Sequence, residues 1–165
     1  AKDNITELAM NGVEVKFEVD ARQMHTLFKS RFRRIHFNFP HDRSDFKART
    51  LPAIISNFFA SARQVQAIGD KVLMALPKNP QKQQFRDSYV YKVYEAAAKH
   101  GYKAIQKRHF GPNRYPGYQH VITGKNASAP VAEQAREHIF QLIEPTSHQT
   151  ALNVMLFKSP TDTYE

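Results

Sequence analysis

Asn38-Phe39-Pro40-His41 sets an amide, a ring-locked turn and an imidazole side by side. An Asn side chain both donates and accepts hydrogen bonds, and Pro fixes the backbone that carries it. An Asn-x-Pro corner beside aromatic groups therefore suits recognition of a flat nitrogen heterocycle. A plain strand-to-helix turn would use the same residue types. Two further stretches mix cations with rings: Arg31-Phe32-Arg33-Arg34, and Lys107-Arg108-His109-Phe110 followed by Arg114-Tyr115. Cations for phosphates and rings for unstacked bases suit single-stranded RNA. Each of these residues taken singly also fits a solvated face. The eight histidines show no HExxH spacing and no evident carboxylate partner, so no metal site is expected.

The elements that must hold these residues can be read from periodicity. Arg34 to Phe39 alternates, with Ile35, Phe37 and Phe39 on one face, as a strand requires. Asn38 then lies at a carboxyl end, where open α/β sheets bind ligands. Val13 to Val19 also alternates, with Glu14, Lys16 and Glu18 on the second face. Those charges exclude a strand buried on both sides and predict an edge strand. Val72 to Leu76 is continuously apolar, as a central parallel strand should be.

Helical spacing separates these segments. Asn4 reads as the N-cap of a short helix, with Glu7 completing a capping box and Gly12 as its stop. Arg22 to Arg31 places Met24, Leu27 and Phe28 on one stripe. Leu51 to Val65 forms a longer stripe, with Pro52 in its first turn. Val90 to Ala98 is a further helix, stopped by Gly101. Asp42 to Arg49 and Pro77 to Phe85 read as loops. Tyr102 to Phe110 and Tyr118 to Thr123 read as two closing antiparallel strands. Residues 126–130 read as a linker, Val131 to Ile143 as a helix and Ala151 to Phe157 as a last strand. This order predicts an α/β fold, a three-layer Rossmann-like sandwich with a mainly parallel sheet. Right-handed crossovers align the carboxyl ends, so Asp20, Asn38 and Leu76 to Lys78 are expected on one rim.

Composition narrows the partners. The chain has 165 residues, 41% of them hydrophobic, enough for one sizeable core. Its formal net charge of +9 favours an anionic partner, nucleic acid first. The absence of cysteine excludes disulfides and thiolate chemistry and fits a reducing compartment. No apolar run approaches the roughly 20 residues of a membrane span, and no secretory signal is visible. An intracellular setting is therefore expected, cytoplasmic, or nucleolar in a eukaryote.

Three segments together carry a resemblance. They are Val19-Asp20-Ala21 closing an alternating segment, Phe32-Arg33-Arg34-Ile35-His36-Phe37-Asn38-Phe39-Pro40-His41, and Tyr115-Pro116-Gly117-Tyr118-Gln119-His120. Between about Asn4 and Thr123 the chain resembles the Rossmann-like methyltransferase domain of the ribosomal RNA uridine-N3 methyltransferase family. The resemblance implies methylation of a uridine base in RNA from S-adenosylmethionine. It implies catalytic roles for Asn38, Pro40 and His41, and cofactor contacts at Asp20, Ala21 and Asn38. Asp20 is equally suited to cap the helix that follows it. Removing the uridine N3 proton calls for a base titrating near neutrality, which points to His41, with Asp42 and Asp45 next. RNA contacts are expected at Arg33, Arg34, Arg43, Lys107, Arg108, Arg114, Tyr115, Tyr118 and His120.

The chain also departs from that family. Its six glycines are scattered and no Gly-x-Gly occurs, whereas such folds hold the cofactor on a Gly-rich turn after the first strand. The expected reading is a partial methyltransferase-type domain over residues 1–125, lacking the first two strands, with a helix-strand extension over residues 126–165. A missing N-terminal segment or a partner chain would complete the sheet. Asp42-Arg43 follows His41 where the family carries Val-Gly or similar. Val121-Ile122 stands where it tends to carry two arginines. Two rival functions remain: an RNA-binding module without catalysis, and a methyltransferase for a small heterocycle.

Overall fold

The computed structural model describes residues 2–40, 47–76, 92–111, 114 and 135–143, with backbone alone for residues 2, 3 and 47–49. Its elements in chain order are α1 (Lys2–Met10), a 3-10 turn (Ala21–Gln23), α2 (Met24–Leu27), β1 (Arg34–His36), α3 (Lys47–Gln64), β2 (Lys71–Leu76), α4 (Val93–Lys99), β3 (Tyr102–His109) and β4 (Arg136–Leu142).

The strands form one mixed sheet in the order β1-β2-β4-β3. β2 pairs parallel with β1 and antiparallel with β4, and β4 pairs antiparallel with β3. β1, β2 and β3 therefore point one way, and β4 is inserted against them. This is an α/β, Rossmann-like layout. The apolar run of β2 takes the central place expected of it, buried from Val72 through Leu76. One face carries Val72, Met74 and Leu76 with Phe140, Leu142, Tyr102 and Ala104, packed against Ile55, Phe58, Phe59 and Ala62 of α3 and Val93, Ala96 and Ala97 of α4. The α3 stripe was legible because Leu51, Ile55, Phe58, Phe59 and Ala62 recur at helical spacing, and each is at most 1% exposed.

Polar groups tie together the amino-terminal ends of the three like-directed strands. The Gln66 amide donates to the carbonyls of Phe32 (3.0 Å) and Lys71 (2.9 Å) and accepts from the Tyr102 hydroxyl (2.7 Å). Burial raises the Tyr102 phenol and keeps it a donor. Buried Asp70 receives both Nε and a terminal nitrogen of Arg31, each at 2.7 Å, and the Ala67 N–H at 2.7 Å. The Arg31 hydrogen bonds hold its carboxyl below the ordinary value.

Several expected elements differ. The described part of the expected helix at 131–143 is extended: Arg136–Leu142 is β4, lying between two strands. Its residues accept helix as readily as strand in isolation. Burial of His138, Ile139, Phe140 and Leu142 within the sheet decides the matter. Val13 to Val19 is not a strand. No strand lies beside it among the described residues, Glu18 is left-handed at φ 57°, and Phe17 is 68% exposed. The Arg22 to Arg31 helix ends at Leu27, because Phe28 turns extended and packs its ring edge-on to Phe32 at 5.3 Å. α1 begins at Lys2, so Asn4 and Glu7 lie inside it rather than capping it. Gly12 does end it, at φ 75°, with its N–H on Ala9 and that of Val13 on Leu8, a Schellman closure. α3 starts at Lys47, so those last residues of the expected loop are helical and Pro52 sits beyond the first turn. β3 pairs with β4; the expected partner at 118–123, the linker at 126–130 and the strand at 151–157 lie outside the described residues.

His138 faces the helical side and is 2% exposed; its Nδ1 lies 2.7 Å from the Tyr94 hydroxyl of α4, and its Nε2 has no partner among the described residues. Burial, with Lys107 and Arg136 nearby, pushes its pKa down from 6.5 to about 3. A folded value below the unfolded one means that the unfolded chain binds the proton first, so stability is lost as pH falls through 6.5 toward 3. Thermal unfolding followed by circular dichroism between pH 7 and about 4.5, above the carboxylate range, should show a falling Tm. His138→Leu should flatten that slope without abolishing it, because burial also lowers His100. An equal slope in the variant would remove His138 as its source.

Candidate functional site

The ladder between β1 and β2 continues past the last regular strand residue. Phe37 N–H donates to the Leu73 carbonyl (2.9 Å) and Phe39 N–H to the Ala75 carbonyl (2.8 Å). The Ala75 N–H between them goes to the Asn38 side-chain oxygen at 3.2 Å. A regular parallel ladder would place the Phe37 carbonyl there. Asn38 thus substitutes its side chain for main chain at the point where β1 leaves the sheet. Because Oδ1 accepts this bond, Nδ2 is left as a donor, on a residue that is exposed.

Phe39 has φ 51°. A bulky residue in the left-handed region stores about 1–3 kcal/mol, and the Pro40 that follows favours extended backbone before it. This backbone reversal carries the Phe39 ring away from the face shared by Ile35 and Phe37, correcting the expected three-residue stripe. It packs instead with Ala75, Phe110 and Ala135. The Phe39 and Phe110 rings meet edge to face at 5.3 Å and 88°. Phe110 is 1% exposed and follows β3 directly, with its N–H on the Ala135 carbonyl at 3.0 Å. Pro40 is buried. The corner is therefore a strained turn clamped by chain segments 39, 75, 110 and 135.

The other expected site residues fall in three places. Lys107 is exposed near the carboxyl end of β3, and Arg114 is exposed just beyond it, its side chain against Gly111. Arg108 is bound through Nε to buried Glu137 at 2.6 Å, so its charge is largely neutralised. Arg34 and Arg33 are exposed at the opposite end of β1, about 13 and 17 Å from Asn38 at strand rise. His41, Asp42, Arg43, Asp45, Tyr115, Tyr118 and His120 lie outside the described residues.

Asp20 follows no strand, which removes the reason for placing it on the Asn38 rim. It caps the 3-10 turn: its carboxylate accepts from Arg22 N–H (2.9 Å), Nε (2.9 and 3.0 Å) and a terminal nitrogen (2.7 Å). The Arg22 side-chain bonds lower its pKa. Ala21 packs toward the main core.

Sequence reasoning placed Phe110 in a cation-and-ring stretch facing RNA, whereas it is 1% exposed in the clamp; Ala135 and the Arg108–Glu137 and Tyr94–His138 pairs were missed. A helical reading of residues 131–143 hid Ala135, Glu137 and His138. The one available signal was Pro40, which restricts the residue before it.

Phe110→Ala should cost about 3–5 kcal/mol, read from urea unfolding, because it removes a buried ring and opens a cavity beneath the corner. A loss under about 1 kcal/mol would mean that the Phe39–Phe110 contact does not hold the corner.

No curated protein matches the chain. Among solved structures, a Clostridium thermocellum protein assigned as an rRNA-methylase aligns over 86% of this chain and 67% of its own, with TM-score 0.47 and 11% identity. A Thermus thermophilus protein assigned as a DNA modification methylase aligns over 80% of this chain and 56% of its own, with TM-score 0.47 and 11% identity. The same protein complexed with S-adenosyl-L-methionine gives a TM-score of 0.43, 11% identity and the same coverages. Likenesses this distant carry no argument. A family model does match, over residues 1–122, which include the corner, α3, α4 and three of the four strands. The chain belongs to the rRNA (uridine-N3-)-methyltransferase BTM5-like family.

Proposed function

We propose that this chain forms the acceptor-base side of an S-adenosylmethionine-dependent methyltransferase acting on N3 of a uridine in RNA. The observation that carries the reading is the clamped corner, with Asn38 anchored through Oδ1 and Nδ2 left to donate. Uracil presents a carbonyl on each side of N3. When N3 loses its proton, negative charge spreads onto those oxygens, and a donor already fixed in place strengthens its bond as that charge develops. His41 is the proposed base, taking the N3 proton onto a ring nitrogen, with Asp42 and Asp45 as substitutes. Pro40 holds the turn. Arg114, with Arg43, Tyr115, Tyr118 and His120, is among the proposed RNA contacts near the base; Lys107, on the strand farthest from β1, and Arg33 and Arg34 would contact RNA farther off. Arg108, paired with Glu137, is a weaker candidate.

S-adenosylmethionine would supply the electrophilic methyl group. The described residues do not fit its site: the Asp20 carboxylate is occupied by Arg22, and the sequence has no Gly-x-Gly turn. We propose that this turn, and strands completing the sheet beside β1, come from a further N-terminal segment or a partner chain. The same two observations favour a second reading, an RNA-binding module without catalysis.

Two experiments separate these. Residues 1–165 alone should show no tight S-adenosylmethionine binding by calorimetry; one-to-one micromolar binding would mean that the chain holds a donor site after all. In the complete enzyme, single-turnover methylation of a uridine-containing RNA should slow about 100-fold or more with Asn38→Ala, as for loss of one transition-state donor, while RNA affinity stays close to wild type. His41→Ala should slow it most near neutral pH and less at high pH, where N3 deprotonates unaided. Unchanged rates in both variants would reduce the corner to a structural turn.

A further inference from the structure

The sheet face turned away from α3 and α4 is organised in cross-strand rows. One row, at the amino-terminal end of β1, β2 and β3, runs through all four strands: Arg34 beside Lys71, Lys71 beside Gln141, and Gln141 beside Lys103. The next row holds His36, Leu73, Ile139 and Gln106, and the one beyond it Ala75, Glu137 and Arg108. Leu73, Ile139, Ala75 and Glu137 are buried, whereas Arg34, Lys71, Gln141 and Lys103 keep contact with solvent.

This first row has an electrostatic cost with no internal compensation. Arg34 and Lys71 stand directly opposite each other, an arrangement of like charges that weakens a sheet. Among the described residues none of its three cations forms an ion pair. The adjacent acid, Asp70, has its carboxylate taken by Arg31 and the Ala67 N–H. Uncompensated cations on a folded surface favour an anionic partner. They stand in a line about 14 Å long, three strand spacings, rather than converging on a point. Such a line fits a polyanion and not a single small anion.

Gln141 specifies the polyanion further. One N–H of its Nε2 donates to the Gly69 carbonyl at 3.1 Å, which leaves the second N–H and the acceptor Oε1 between the two lysines. That oxygen only accepts. Phosphate oxygens cannot donate to it, but a ribose 2′-hydroxyl can. We propose that the row Arg34–Lys71–Gln141–Lys103 is a docking track for the backbone of single-stranded RNA, with phosphates on the cations and a 2′-hydroxyl on Gln141. The track rests on the reading of this protein as one that acts on RNA. It does not depend on Asn38, which lies at the other end of β1.

The test uses residues 1–165 and two oligonucleotides of one sequence, oligouridylate RNA and its deoxy counterpart, with affinity measured against salt concentration. The triple variant Arg34→Gln, Lys71→Gln, Lys103→Gln should flatten the slope of log K against log salt by about 2, three neutralised phosphates at roughly 0.7 each. Its Tm should equal or exceed that of wild type, because a repulsion is removed. Gln141→Leu should leave the salt slope alone and narrow the preference for RNA over DNA. An unchanged slope in the triple variant would overturn the track. So would polyglutamate competing as well as RNA, which would assign the row to an acidic protein. If Asn38→Ala proves inert in catalysis while the triple variant loses slope, only the reading of the corner fails.

Discussion

Burial of β2 on both faces is the constraint on which the rest depends. Five consecutive apolar residues, Val72 to Leu76, are each at most 7% exposed. A fully buried strand must satisfy its backbone N–H and C=O groups on both edges and cover its side chains on both faces. β1 takes one edge and β4 the other. The α3 and α4 cores cover one face. The remaining face is filled near the carboxyl end by Ala75, Phe110, Ala135 and the Phe39 ring. The corner is thus a consequence of β2: Phe39 and Asn38 complete its cover and its hydrogen bonding where β1 leaves the sheet.

That arrangement links stability to the site. Without Asn38, the Ala75 N–H would lose its side-chain acceptor where the main chain has already turned away. Without Phe39 and Phe110, the left-handed backbone before Pro40 would lose the packing that offsets its strain. The same contacts that close the core therefore aim the Asn38 amide. A loop tethered only by its own hydrogen bonds could not hold a donor so firmly.

The two ends of the sheet differ in electrostatic character. At the amino-terminal end, polar groups are paired inward through Gln66, Tyr102, Asp70 and Arg31, while Arg34, Lys71 and Lys103 face outward with no ion pair among the described residues. Near the carboxyl end, Arg108 is neutralised by Glu137, Arg114 is exposed against Gly111, next to the corner's Phe110, and Lys107 is exposed on the far edge strand. A net charge of +9 says only that an anion is favoured. Pairing and exposure decide which cations it can reach.

Sequence alone determined the features that depend on local period and residue type. The α3 stripe, the apolar β2, the β3 segment, the Gly12 stop and the place of Asn38 at a strand's carboxyl end all follow from spacing within a few residues. Only the tertiary structure decided the rest. Arg136–Leu142 carries residues tolerant of either helix or strand, and open ladder edges on β2 and β3 made it a strand. Val13–Val19 has perfect alternation but no strand beside it among the described residues, and alternation cannot supply a ladder partner. Asp20 has the right type for a cofactor contact, yet its neighbour Arg22 takes the carboxylate. The positive φ of Phe39 needs Ala75, Phe110 and Ala135 to hold it, residues up to 96 positions away in the sequence, which no local pattern brings together.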